Sequence, residues 1–176
     1  SPTNLPHGDF ADWKGHQYVF YGPTPAIILM PFVYLFGVDF PQYLISVFSL
    51  ILTFMGVILL VRKIGFKNVD ALWMSMFFVF GTVLYFNGLV NISAYLVQVL
   101  GSVFVIFSFY EYFSKKRWFV TGVLIALAGL TRINLFGMVL FYILEIIRHN
   151  LESKTRAFIL LLIPVLIMMF ILGVYN

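Results

Sequence analysis

The sequence predicts an all-α fold: a polytopic bundle of transmembrane helices with a juxtamembrane helix and a short broken helical hairpin. Three observations carry this expectation. Of 176 residues, 62% are hydrophobic and 10% charged, with a mean hydropathy of +1.00, whereas soluble domains carry about 25% charged residues. Strand-like alternation of polar and apolar residues, the mark of a membrane β-barrel, is missing. Nine of the eleven Lys and Arg residues fall in three clusters between apolar runs: Arg62, Lys63 and Lys67; Lys115, Lys116 and Arg117; Arg148, Lys154 and Arg156. At about 20 residues per crossing, the chain has room for six or seven helices.

The clusters orient the spans, because basic residues collect in cytoplasmic loops. Residues 42–61 read as one crossing that ends at the first cluster, so 61–68 is expected inside. Residues 69–86 should cross outward to a turn at Asn87-Gly88, 91–113 should cross back to Lys115, and 157–174 should cross outward with a kink at Pro164. Two segments are short. Residues 24–37 number fourteen and contain Pro25 and Pro31, which suits an interfacial or partly inserted helix. Residues 118–147 have a basic cluster at each end and Arg132 in the middle. Two short helices, 118–130 and 133–147, would keep both clusters on one side and set the break near Arg132 within the outer part of the membrane.

This layout divides the chain into an outer, non-cytoplasmic segment 1–23 and a transmembrane domain 24–176. The chain opens on Ser1 and stops after an apolar run, which suggests a piece of a longer membrane protein, cut at both ends. There are no cysteines, hence no disulfide, thiolate metal site or Cys nucleophile. Short basic loops between spans give no continuous face for nucleic acid, so no nucleic-acid partner is expected.

Arg132 is the charge that the interfaces do not explain. An arginine within a span costs roughly 2.5–3.5 kcal/mol on insertion scales. Its planar fork suits either backbone carbonyls or the oxygens of a phosphate. Asp9 and Asp12 lie in the polar opening segment, and on a helix they would share a face. They are the candidate general base and, together, the candidate ligands of a divalent metal. Lys14, His16, Tyr18 and Tyr21 could bind a sugar or phosphate, while Trp13, Tyr18 and Tyr21 equally suit an aromatic belt at the headgroups. Glu111, Glu145 and Asp70 read as interfacial partners of nearby basic residues. Asn91-Ile92-Ser93 matches a glycosylation sequon, but at a tight turn next to the membrane.

The opening stretch, residues 9–32, resembles the first outer loop of the GT-C superfamily of membrane glycosyltransferases, and most closely the bacterial members related to protein mannosyltransferases. Asp9, Gly15, Tyr18, Gly22, Pro23 and Pro31 stand at the places of that pattern. Gly129-Leu130-Thr131-Arg132 is similar to a later stretch in which a short helix ends in an arginine, and residues 82–86 are similar to the end of an intervening span. The resemblance covers most of the chain through loosely defined motifs. It implies an inverting enzyme in a bacterial plasma membrane that moves a sugar from a polyprenyl-phosphate carrier to an acceptor at the outer face. Asp9 would then be the base and Arg132 the phosphate ligand, with both opening onto one outer cavity. Family members often carry a second acidic pair in a later outer loop. The 87–92 segment has Asn87 and Asn91 and no acid, a departure that bears on metal binding. The alternative is a non-catalytic transporter or lipid-handling subunit, in which Arg132 is a counter-ion or structural.

Overall fold

The computed structural model describes residues 22–148 and 153–174, together with the backbone of residues 10–13, 16–19 and 175. Strands β1 (Phe10–Trp13) and β2 (His16–Val19) pair antiparallel, with Phe10 opposite Val19 and Asp12 opposite Gln17. Eight helices follow: α1 (Thr24–Phe36), α2 (Tyr43–Ile64), α3 (Asn68–Phe80), α4 (Val83–Leu89), α5 (Ser93–Ser114), α6 (Trp118–Thr131), α7 (Met138–Arg148) and α8 (Lys154–Tyr175). A turn of 3-10 helix, Ile133–Gly137, joins α6 to α7. Helices α2, α5 and α8 are long and apolar enough to cross a membrane, and the chain is an integral membrane protein of helical type.

The axis of the bundle is the pair α2 and α5, which run parallel. Ile45 packs with Leu96, Leu50 with Val99, and Val57 with Ile106. Both helices therefore finish at the same end, which puts the first and second basic clusters together. Their starts are tied at the other end, where Asn91 Oδ1 accepts from the Tyr43 backbone N–H (3.2 Å) and Ser93 Oγ donates to Gln42 Oε1 (3.1 Å). Small residues let the chains approach, and Ser49 and Thr53 turn their hydroxyls back onto Ile45 O and Ser49 O, so both are satisfied within α2.

The return from α2 to α5, expected as one crossing over 69–86, is made by a bent pair of helices that together are long and apolar enough to span. Helix α3 stops at Phe80, Gly81-Thr82 breaks the run, and α4 leaves at 62°. Thr82 supplies the chemistry of the break: its hydroxyl accepts from Leu84 N–H (3.2 Å) and donates to Phe78 O (2.8 Å). The expected turn over 87–92 is present in its second half, since Asn87-Gly88 still belongs to α4. Both residues are buried there, and the turn falls at Val90–Ile92.

The expected hairpin is present. Helix α6 starts beside the end of α5, where Trp118 meets Tyr112, and climbs until Thr131 faces Gly101. The chain breaks at Arg132 and α7 comes back down: Tyr142 and Ser108 share a hydrogen bond (2.8 Å), and Tyr112 donates to Glu145 Oε2 (2.5 Å). Arg148 therefore returns to the end that holds Arg117. Helix α8 starts there as well, with Lys154 Nζ donating to Ile147 O (3.1 Å). It runs unbroken through Pro164 and packs Ala157, Leu161 and Val165 against Ile125, Tyr142 and Ile146. All three basic clusters thus share one pole. Glu111 and Glu145 pair there with Arg117 (2.6 Å) and Arg148 (3.5 Å), as their sequence positions suggested.

The Ser108–Tyr142 bond is buried on both sides. Tyr142→Phe should destabilise the protein by about 1 kcal/mol, since Ser108 keeps its bond to Val105 O. Thermal melting in detergent reads this out, and a melt identical to the parent protein would show that the bond contributes nothing.

A candidate anion site at the break between α6 and α7

Arg132 is the last link in a short chain of local causes. Leu127 to Thr131 continue the apolar face of α6, and Thr131 Oγ1 bonds back to Ala128 O (2.5 Å). Arg132 then leaves helical geometry (φ −146°, ψ 123°), while its N–H still donates to Ala128 O and its carbonyl accepts from Leu135 N–H. The break is wedged in place. Phe136 lies across Gly129, where an added Cβ would fall 2.4 Å from the ring. On the other side, Leu135 and Thr131 fill the space over Gly101.

The depth of the break follows from helix geometry. Gly101 lies eight residues into α5, so Arg132 sits about 12 Å below the pole that holds Tyr43 and Ser93, and about 20 Å above the basic pole. The apex thus stops short of the outer end of α5, as the short arms of 118–147 suggested. Irregular backbone at such a depth is tolerated where it is enclosed by protein or faces a wet cavity.

Arg132 is exposed and lines a cavity of about 270 Å³ between α3, α5 and the 3-10 turn. Gln98, Ser102 and Asn134 contribute its other polar groups, and Phe78, Val105 and Leu135 its apolar walls. Among the described residues, the guanidinium makes no hydrogen bond or ion pair, and no carboxylate lines the cavity. Gln98 is itself held from behind: Asn87 Nδ2 donates to Gln98 Oε1 (2.8 Å), leaving the Gln98 NH₂ as a donor. Asn87 is 2% exposed, and its Oδ1 has no partner. Ser102 Oγ donates to Gln98 O (2.9 Å), so the cavity offers one positive charge and the amide donors of Gln98 and Asn134, a set complementary to an anion with several oxygens.

The opening segment arrives at this same place. The carbonyl of Leu130 is so close to Gly22 that an added Cβ would lie 1.9 Å from it, and Thr24 Oγ1 donates to Leu127 O (3.4 Å). The Gly-Pro dipeptide thus docks the chain onto the last turn of α6. Helix α1 then rises past Ile45, Leu96 and Leu100 to Phe32 and Phe40, whose rings stack at 5.2 Å. It is a short helix of 13 residues and does not cross, which agrees with the juxtamembrane expectation.

Of the other candidates, Asp9, Lys14 and Tyr21 lie outside the described residues. Asp12, His16 and Tyr18 are placed by backbone alone. Asp12 lies on a strand, not on a helix, so the shared helical face imagined for Asp9 and Asp12 does not arise from local structure. No group of three or more His, Asp or Glu side chains converges among the described residues. Sequence reasoning missed Gln98 and Ser102, because two polar residues in a span of 22 read as tolerated exceptions. Their spacing of four, on one face of α5, was the available signal. No family model, curated protein or solved structure matches this chain.

Proposed function

We propose that this chain belongs to a glycosyltransferase that transfers a sugar from a polyprenyl-phosphate carrier to an acceptor at the pole opposite the basic clusters, in a bacterial plasma membrane, with the opening segment non-cytoplasmic. The observation that carries it is the broken hairpin, which presents Arg132 to a donor-lined cavity in the outer third of the bundle. A carrier phosphate held by Arg132 would be drawn inward from the headgroup layer, into a cavity whose polar groups replace its hydration.

The chemistry follows from the groups at hand. The bond from the anomeric carbon to the phosphate oxygen breaks, and the departing carrier phosphate needs its negative charge stabilised. Arg132 offers a bidentate fork for two phosphate oxygens, and the Gln98 amide a further donor. The acceptor hydroxyl forms the new bond from the opposite face and gives its proton to Asp9, which inverts the anomeric centre. Support for Asp9 comes from strand register. Phe10 is opposite Val19, three residues before Gly22. Three Cα steps and one strand spacing keep Phe10, the neighbour of Asp9, within about 17 Å of Gly22, and hence near the end of α6. Lys14, His16, Tyr18 and Tyr21 are proposed to hold the sugar and the acceptor. The departure at Asn87 stands against a metal-dependent step, because that residue is neutral and bound to Gln98.

The test is sugar transfer by proteoliposomes supplied with polyprenyl-phosphate sugars, comparing the parent protein with Asp9→Asn. Transfer that is lost in the variant, with carrier binding kept, supports the assignment. Undiminished transfer removes Asp9 as the base. Carrier binding without any turnover in the parent protein would favour the lipid-handling alternative.

A further inference from the structure

The basic pole carries a second cavity, independent of the chemistry at Arg132. It has a volume of about 400 Å³ and lies between the turn after α5 and the first turns of α8. Lys116 and Arg117 border it from one side and Arg156 from the other, with Trp118, Phe119 and Leu160 as apolar wall. The cations come from segments about forty residues apart, so their convergence is a product of tertiary structure, beyond the sequence bias toward basic loops.

Two of the three are positioned by backbone and partner. The N–H groups of Lys115 and Lys116 both donate to Glu111 O, closing the end of α5. That closure puts Lys116 at φ 50°, the left-handed region that non-glycine residues seldom enter. Arg117 is held by Glu111 through two bonds, Nε to Oε1 (2.6 Å) and Nη2 to Oε2 (2.7 Å), which leaves Nη1 as a donor. Glu111 is buried and is consumed by this pairing. Among the described residues, Lys116 and Arg156 have no carboxylate partner; Lys116 Nζ lies over the Tyr112 ring (5.6 Å), and all three cations are exposed.

We propose that this cavity binds the phosphodiester headgroup of an anionic glycerophospholipid. The cations meet the phosphate, and Phe119 and Leu160, on the facing flanks of α6 and α8, take the first part of an acyl chain. Charge complementarity and depth both fit this occupant. The cavity lies level with the ends of α5 and the start of α8, about 33 Å from the start of α5, which is the distance between headgroup layers. Trp118 has the amphipathic ring favoured at that interface.

Native mass spectrometry of the full chain in mild detergent tests this, with phosphatidylglycerol or phosphatidylcholine added. The variant Lys116→Asn, Arg156→Gln removes two charges while leaving a residue that tolerates the left-handed backbone. The control Arg62→Gln, Lys63→Gln removes the same charge from the same pole, outside the cavity. The parent protein and the control are expected to retain one phosphatidylglycerol in preference to phosphatidylcholine, and the cavity variant to bind it about 30-fold more weakly, at roughly one basic-residue contribution per charge removed. Equal weakening in variant and control would overturn the site in favour of diffuse attraction to the pole. Displacement of the lipid by millimolar inorganic phosphate would overturn the lipid assignment in favour of a free anion. Unchanged melting of the cavity variant checks that folding is intact.

Discussion

Gly22→Ala is expected to loosen the opening segment from the bundle and to lower stability by about 3 kcal/mol, the upper part of the range for overpacking. The added methyl carbon would lie 1.9 Å from Leu130 O, 2.6 Å from Leu130 C and 3.1 Å from Leu130 Cα. All three are backbone atoms of a helix that is itself clamped between α5 and α8, so no side chain can swing aside. The chain must instead lift off, and Thr24 then loses Leu127 O. For a domain of this size, the loss corresponds to a fall of roughly 6–12 °C in Tm. Gly137→Ala is a matched control, since nothing lies within 4 Å of its added carbon. Equal melting of the two variants would show that the contact at Leu130 is not maintained. Because Gly22 joins the segment containing Asp9 to the helix ending at Arg132, the variant should also lose turnover out of proportion to its stability.

Arg132→Ala should reduce sugar transfer by about 10²- to 10³-fold, the usual penalty for removing one preorganised donor from a developing negative charge. Arg132→Lys keeps the charge but loses the two-pronged geometry, so an intermediate rate is expected. Insertion and melting should stay near those of the parent protein, because the guanidinium makes no hydrogen bond or ion pair among the described residues. Full activity in Arg132→Ala would remove the phosphate role. A fall in carrier affinity with unaltered turnover would instead mark ground-state binding alone.

Most of the membrane architecture was legible because its signals are one-dimensional. Span 42–61 became Tyr43–Ile64, and 91–113 became Ser93–Ser114. The hairpin was legible for a subtler reason: Lys115–Arg117 and Arg148 had to share a pole, and thirty residues could do so only by folding back. The bend at Gly81-Thr82 was not legible, since the apolar run continues through it and only Thr82, acting as a cap, marks it. The turn over 87–92 starts three residues later than Asn87-Gly88 suggests, although that dipeptide favours turns locally. Tertiary demands override that preference here: Gly88 leaves room for Leu50, and Asn87 supports Gln98. The strand pair at 10–19 was not legible, because two strands of four residues give too few positions for an alternating pattern to stand out. The cavity around Arg132 depends on which faces α3 and α5 turn toward the hairpin; the spacing of Gln98 and Ser102 groups them on one face of α5, but nothing in the sequence says that this face meets Arg132.

The shallow apex of the hairpin has an electrical consequence. If the cavity opens to the aqueous phase at the Tyr43–Ser93 pole, the bulk voltage of that side extends about 12 Å into the bundle, and the membrane potential falls across the remaining two-thirds. An ion arriving from that pole would then traverse little of that field, out of the roughly 2.3 kcal/mol per 100 mV that a full crossing involves. Occupancy of the cavity should therefore be nearly the same in energised and in de-energised vesicles.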